Sequence, residues 1–339
     1  MHSPLLHPST LAPSWVTRLW PGLAAALVIA LGAVVLRAVT GIALASPLLV
    51  SVLVGMGIAM VRAPAPAMKA GLAFAARPVL RAGIVLLGFQ LTFAQIAALG
   101  PWAFAVAAGT LFVTFFATRA MGRALGVSPA LTDLLAAGTS VCGASAVAAA
   151  NSVTRAEEAD VAYAIASVTL FGTLLMLVLP MLAPIIGLSP MGGGVWIGAT
   201  VHEVAQVTAS AFQLGDEAGQ AGTVTKLIRV MLLAPLVLVM MGLARRSGEA
   251  TKGRAPMPWF VFGFLGVIAL NSVLPVTQGM RDMASSTATL CLATGLAAMG
   301  LQISLGAIRA RGWRPLALAA LSCVFVAGFG GMAARLVGF

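Results

Sequence analysis

Eleven apolar runs divide this chain almost from end to end. They lie near residues 20–39, 46–61, 78–97, 101–118, 129–150, 157–182, 192–213, 221–244, 257–275, 283–305 and 314–337. A helix needs about 20 apolar residues to cross a bilayer, and most of the runs meet that length. The run at 46–61 is short, and the run at 129–150 is interrupted. The expectation is an all-α polytopic membrane protein with about 10–11 transmembrane helices. Composition agrees. The 339 residues are 60% hydrophobic and only 9% charged, against about 25% charged in soluble domains. Residues 1–19 read as a cytoplasmic tail and 20–339 as a single membrane domain. The one sizeable hydrophilic connection, 245–258, reads as a cytoplasmic linker.

The formal net charge is +11. The basic residues come in ones and twos between apolar runs, so they mark loops rather than a nucleic-acid face. Alternating the runs across the membrane gathers thirteen Lys and Arg on one side and five on the other. That places the N-terminus in the cytoplasm and the C-terminus outside. Cys142, Cys291 and Cys323 all sit in apolar runs, so neither a disulfide framework nor a metal spacing is expected.

The interruption at 129–150 is "GTSVCGAS", residues 138–145. Gly138 and Gly143 weaken a helix, and Thr139, Ser140, Cys142 and Ser145 can serve backbone groups freed by a break. A broken helix leaves N–H groups that bind an anion without a charged side chain. The plainer alternative is close packing by small residues.

In "VHEVAQVTASAFQ", 201–213, an unbroken helix would bring His202, Glu203, Gln206, Ser210 and Gln213 into one quadrant. His202, Glu203 and Gln206 are candidates for proton coupling, because His titrates near neutral pH. A structural stripe between helices is the alternative. A zinc protease site needs a second His four residues on, and Gln206 stands there. Lys226 and Arg229, and Arg77 and Arg81, either charge a cavity or snorkel to the interface. Thr154 and Glu157 have the spacing of a capping box.

Two pairings suggest inverted repeats, over about 46–182 and 192–337. "LRAGIVLLG" from Leu80 resembles "IRVMLLAP" from Ile228, and "AAGTSVCGAS" can be laid on "LATGLAAMGLQ". The second pairing makes Gly295, Gly300 and Gln302 a facing break. A competing echo joins 87–100 to 299–312, and its spacing does not fit the same repeat.

Together, "RAGIVLLGFQL", "GTSVCGASAVAA", "EEADVAYAIASVTLFGT", "HEVAQV" and "KLIRVMLLAPLVL" resemble a bacterial membrane family designated sulfate exporters. The resemblance runs from about Pro21 to the end. It implies a fold like that of sodium–proton antiporters and bile-acid transporters, with inverted five-helix repeats and broken crossing helices.

The expected function is secondary transport of a small anion, sulfate or sulfonate-like, by export and with proton coupling open. No P-loop provides for ATP drive. The expected substrate-binding set is Gly138, Thr139, Ser140, Cys142, Gly143, Ser145, Lys226, Arg229, Gly300 and Gln302. A cation–proton antiporter is the alternative, and a passive channel or scaffold a further one. Neither enzyme activity, metal nor cofactor is expected. The expected partners are the bilayer of the bacterial inner membrane, the anion and, as an open assembly, a second copy in a homodimer.

Overall fold

The computed structural model describes residues 15–40, 46–246, 259–303, 306 and 311–338. The start of the expected tail and most of the 245–258 linker lie outside them. The described residues contain helices and no strand. Seven helices are long and apolar enough to cross a membrane.

Two groups of helices make up the molecule. The first contains α1 (Trp15–Thr40), α2 (Pro47–Val61), α3 (Lys69–Phe74), α4 (Leu80–Leu87), α14 (Trp259–Val273) and α15 (Gln278–Leu301). Close glycine contacts hold it: Gly22 against Gly71, Gly55 against Gly300, and Gly83 against Ala288. The second contains α6 (Gly100–Ala124), α7 (Pro129–Ser140), α8 (Ala144–Thr154), α9 (Glu158–Ile185), α10 (Pro190–Thr200), α11 (Val204–Ala211), α12 (Asp216–Met231), α13 (Leu233–Arg246) and α16 (Trp313–Leu336). The short α5 (Phe93–Ala98) links the first group to the second, and its Thr92–Gln95 capping box fixes where it starts. Helix packing between the groups runs mainly through α11.

The chain turns back on itself twice. Helices α7 and α8 are two arms of a hairpin with its tip at 141–143. Gly138 on one arm faces Val147 on the other. Both feet lie together, since Pro129 and Ala130 share a crevice with Val153 and Thr154. Helices α10 and α11 form a second hairpin with its tip at 201–203, and Gly193 near its first foot meets Leu214 beyond its second. Helix α9 runs between the two pairs of feet; its 28 residues span about 42 Å. The hairpins therefore enter from opposite ends and meet tip to tip. Neither crosses the membrane, so two of the eleven apolar runs re-enter instead of spanning.

This geometry corrects several expectations. Helix α15 runs unbroken from Gln278 to Leu301, so it supplies no facing break. Gly295 packs on Leu80, Gly300 on the backbone of α2, and the Gln302 amide reaches the Leu72 carbonyl at 3.4 Å. The true counterpart of the first tip is the second. "GTSVCGAS" (138–145) lies over "GATVHEVA" (198–205). Ser140 and Thr200 both bond back one turn, to Ala136 at 2.6 Å and Trp196 at 2.7 Å. Each hairpin is followed by a helix with acids in its first turn, α9 and α12.

The echo of 87–100 in 299–312 also gains a place. Helices α4 and α15 run antiparallel, with Gly83 near Cys291 and Leu80 near Gly295. Each is followed by a glutamine: Gln90 donates to Ser285 in the first third of α15 at 2.9 Å, and Gln302 to Leu72 in α3, which precedes α4. Both helices then lead across to the second group.

The hairpins also move residues between ends. Arg155 shares a crevice with Gly126, Arg311 and Arg314, so it belongs to the Arg-rich end. Lys226 is fully buried and belongs to neither. The expected Thr154–Glu157 capping box does not form. Thr154 closes α8, Glu157 precedes α9 without a side-chain cap, and Asn151 accepts from the Ala156 amide at 2.8 Å. Glu157 and Asp160 instead pair with Arg311, at 2.6 and 2.9 Å.

Candidate functional site at the hairpin tips

Four helix ends converge where the tips meet. The carbonyl ends of α7 and α10 carry partial negative charge, and the amide ends of α8 and α11 partial positive charge. Backbone groups left unpaired inside a membrane protein are costly, so side chains satisfy them here. Lys226 and Arg229, one turn apart on α12, serve the carbonyl ends. The Lys226 ammonium donates to Val141 O and, at 2.7 Å, to Val201 O. The Arg229 guanidinium donates to Thr139 O at 3.1 Å, to Ser140 O, and to Gly198 O at 3.4 Å. Both side chains have 0% exposure.

Glu203 serves the amide ends. Its carboxylate accepts from the Ala144 N–H at 2.7 Å. It also caps α11, while Gln206 returns the bond to the Glu203 N–H at 3.1 Å. Gln206 in turn donates to Thr173 Oγ1 at 3.2 Å and Thr169 O at 3.3 Å, which holds the tip against α9. His202 and Glu203 thus lie in the turn and not on a helix, so the expected single polar quadrant does not exist. His202 is buried, and its Nδ1 has no hydrogen-bond partner among the described residues.

Gly143 adopts φ 63°, a region that favours glycine, and a Cβ there would strike the Glu203 carboxylate. Replacing Gly143 with Ala is expected to expel Glu203 from the α8 amide end. The ψ of −129° at Gly143 puts this residue outside the left-handed helical region, and the backbone strain alone costs about 1–3 kcal/mol. Thermal unfolding of the purified protein checks this; an unchanged midpoint would mean that the turn relaxes freely.

The expected substrate-binding residues separate by position. Cys142 and Ser145 line a cavity of about 400 Å³ between the two groups, together with Glu203 from the expected proton-coupling set. Gly143 shapes the tip beside it. Thr139 and Ser140 are buried and offer carbonyls to Arg229. Gly138 packs on Val168 and Val147. Lys226 and Arg229 are occupied by carbonyls and are not in the cavity wall. Gly300 lies in the α2–α15 contact, and Gln302 reaches Leu72 of α3. Arg77 and Arg81 do line the cavity, although the expected set left them out.

A second cavity of about 500 Å³ opens at the other end, between α11 and the α2–α15 pair. Its wall includes Arg37, Asp216, Gln90, Ser285 and Thr208. Among the described residues no cluster of His, Cys, Asp or Glu could hold a metal ion.

Long apolar helices, two opposed hairpins and a polar junction between their tips define a multi-pass α-helical membrane protein. The chain belongs to the family described as Conserved hypothetical protein 698, whose model matches residues 21–319. It is 35% identical over 330 residues to the UPF0324 membrane protein TauZ of Paracoccus pantotrophus, covering 95% of this chain and 97% of that one. It is 36% identical over 255 residues to the UPF0324 inner membrane protein YeiH of Escherichia coli, covering 74% of this chain and 73% of that one. No solved structure matches the chain.

Proposed function

We propose that this protein is a secondary transporter of a small anion, sulfate or sulfonate-like, in the bacterial inner membrane. One observation carries the reading. The tip junction holds two formal cations, Lys226 and Arg229, against one carboxylate, Glu203, while the four helix-end charges cancel in pairs. With all three ionised, the junction beside the cavity carries one excess positive charge, which a bound anion would neutralise.

Cavities lie on both sides of the junction, and helix packing between the two groups runs mainly through one short helix, α11. That arrangement suits movement of the hairpin group against the other, exposing the tips to each face in turn. Both relatives are named as membrane proteins, one of them as an inner membrane protein, which fits the location in this reading. By the positive-inside rule, the Arg-rich end faces the cytoplasm, which keeps the N-terminus there and the C-terminus outside. Two re-entrant hairpins do not change that parity.

The Glu203 carboxylate sits on the Ala144 amide, where an arriving anion would compete with it. Protonation of Glu203 would leave only a neutral carbonyl on that amide, a weaker acceptor that an arriving anion can displace. Proton and anion would then travel together. The cation–proton antiporter reading fares worse, because Asp133 pairs with Arg119 at 2.7 Å and Glu203 with backbone amides. The test is flux of labelled sulfate, sulfite and ethanesulfonate in proteoliposomes, with and without a pH gradient. Anion flux that rises with the gradient is expected. Sodium-dependent flux with no anion flux would overturn the proposal.

A further inference from the structure

We infer that Arg77 and Arg81 are the side chains that hold the substrate anion, and that they load it from the Arg-rich face. The inference rests on the anion-transport reading above and specifies its binding site. Lys226 and Arg229 are spent on helix-end carbonyls. Arg77 and Arg81 line the 400 Å³ cavity, and neither is in an ion pair among the described residues.

Their backbone is unusual. Residues Ala75–Val79 form a π-helical turn containing Pro78, between α3 and α4. Such wide turns are rare and recur at functional sites. Proline explains this one, because it removes an N–H and crowds the preceding turn. The turn carries Arg77, and Arg81 follows in the first turn of α4, both on the non-hairpin group, while Cys142, Ala144 and Ser145 at the first hairpin's tip and Glu203 at the second's form the opposite wall. An anion there is held by guanidinium forks from one group and the α8 amide end from the other.

The rest of the wall is largely apolar, with Leu80, Ile84, Val230, Leu233 and Phe260. Phe260 also lies under Arg81, 5.5 Å from guanidinium carbon to ring centre. Cations at one part of the cavity and an apolar wall elsewhere fit an oxyanion on a short carbon tail, an aliphatic sulfonate, better than a bare inorganic ion. The opposite cavity has one cation and one carboxylate in its wall, Arg37 and Asp216, whereas this one has Arg77 and Arg81 against the single carboxylate of Glu203, so only the Arg-rich face presents an excess of cations. The anion therefore binds more tightly from that face, and the gradients set the direction of net transport.

The test uses the full-length protein with Arg77→Gln, Arg81→Gln, the double variant and Arg81→Lys. Binding of ethanesulfonate and of sulfate is measured by calorimetry on detergent-purified, monodisperse samples. Half-saturating concentrations are measured from each face in proteoliposomes of fixed orientation. Each Gln variant is expected to weaken ethanesulfonate binding about tenfold, the loss of one charged hydrogen-bonding partner. Arg81→Lys should retain most of the affinity, and the defect should appear only from the Arg-rich face. If the double variant does not fold, the two single variants decide alone. Wild-type affinity in the Gln variants, with anion transport intact, would overturn this inference and leave the proposed function standing. Tighter binding of sulfate than of ethanesulfonate would overturn the carbon-tail assignment. A wild-type protein that neither binds nor carries an anion would overturn both.

Discussion

Lys226→Met is expected to destabilise the protein by about 2–4 kcal/mol, through two carbonyl groups left without donors. Val141 O and Val201 O are the last acceptors of two half-helices, and one ammonium serves both. Burying a Lys is itself costly, and replacing a buried charge with an apolar side chain is often neutral. Here the orphaned carbonyl ends decide the sign. They sit in the interior of the bundle with their partial charges aligned, and methionine offers them nothing. Thermal unfolding in detergent, followed by monodispersity on size exclusion, reads the effect. Arg229→Met should behave in the same way, because Thr139 O, Ser140 O and Gly198 O share its guanidinium. A variant with wild-type stability that binds anion poorly would return these residues to direct substrate contact.

Glu203→Gln should leave the fold nearly unchanged and remove the pH dependence of transport. The Gln carbonyl can still accept from the Ala144 N–H and cap α11, so the tip keeps its bonds. What disappears is the group that can take a proton where the two amide ends meet. Proton-driven anion accumulation should fall by tenfold or more, the order of a lost general acid–base group, while anion exchange across the membrane continues. Glu203→Ala is the contrasting variant, because it loses the cap as well and should cost about 1 kcal/mol in stability. If Glu203→Gln keeps the wild-type response to a pH gradient, the carboxylate is a helix cap and nothing more.

Much of the site was legible in residue types, and less in their arrangement. The stretch 138–145 announces a break through its glycines and hydroxyls, and the backbone does leave helical geometry at Val141 and Gly143. The second break was hidden, because His202 to Gln213 reads equally well as an unbroken amphipathic helix. A signal was present there. Glu203 and Gln206 have the three-residue spacing of a capping box, and "GATV" repeats "GTSV" sixty residues on. Apolar sequence matches itself so readily that the pairing with 292–302 concealed it.

The roles of the cations were the least legible. A buried Lys–Arg pair reads as substrate charge until the carbonyls beside it are visible. Arg77 and Arg81 read equally well as interfacial anchors until the cavity shows what they face.

The sequence by itself determined that this chain is an all-α multi-pass membrane protein. Apolar runs of bilayer length leave the backbone no partner except its own helical turns. It also determined the Arg-rich loops and the break at the first tip, since composition and glycine act locally. Only the tertiary structure decided which runs cross and which turn back. A hairpin and a span have the same composition, and they differ only in whether both feet lie at one end. Only the tertiary structure assigned each charge, because a helix end attracts whichever opposite charge the fold brings to it. The partner of Ala144 is Glu203, fifty-nine residues away, and no local rule connects them.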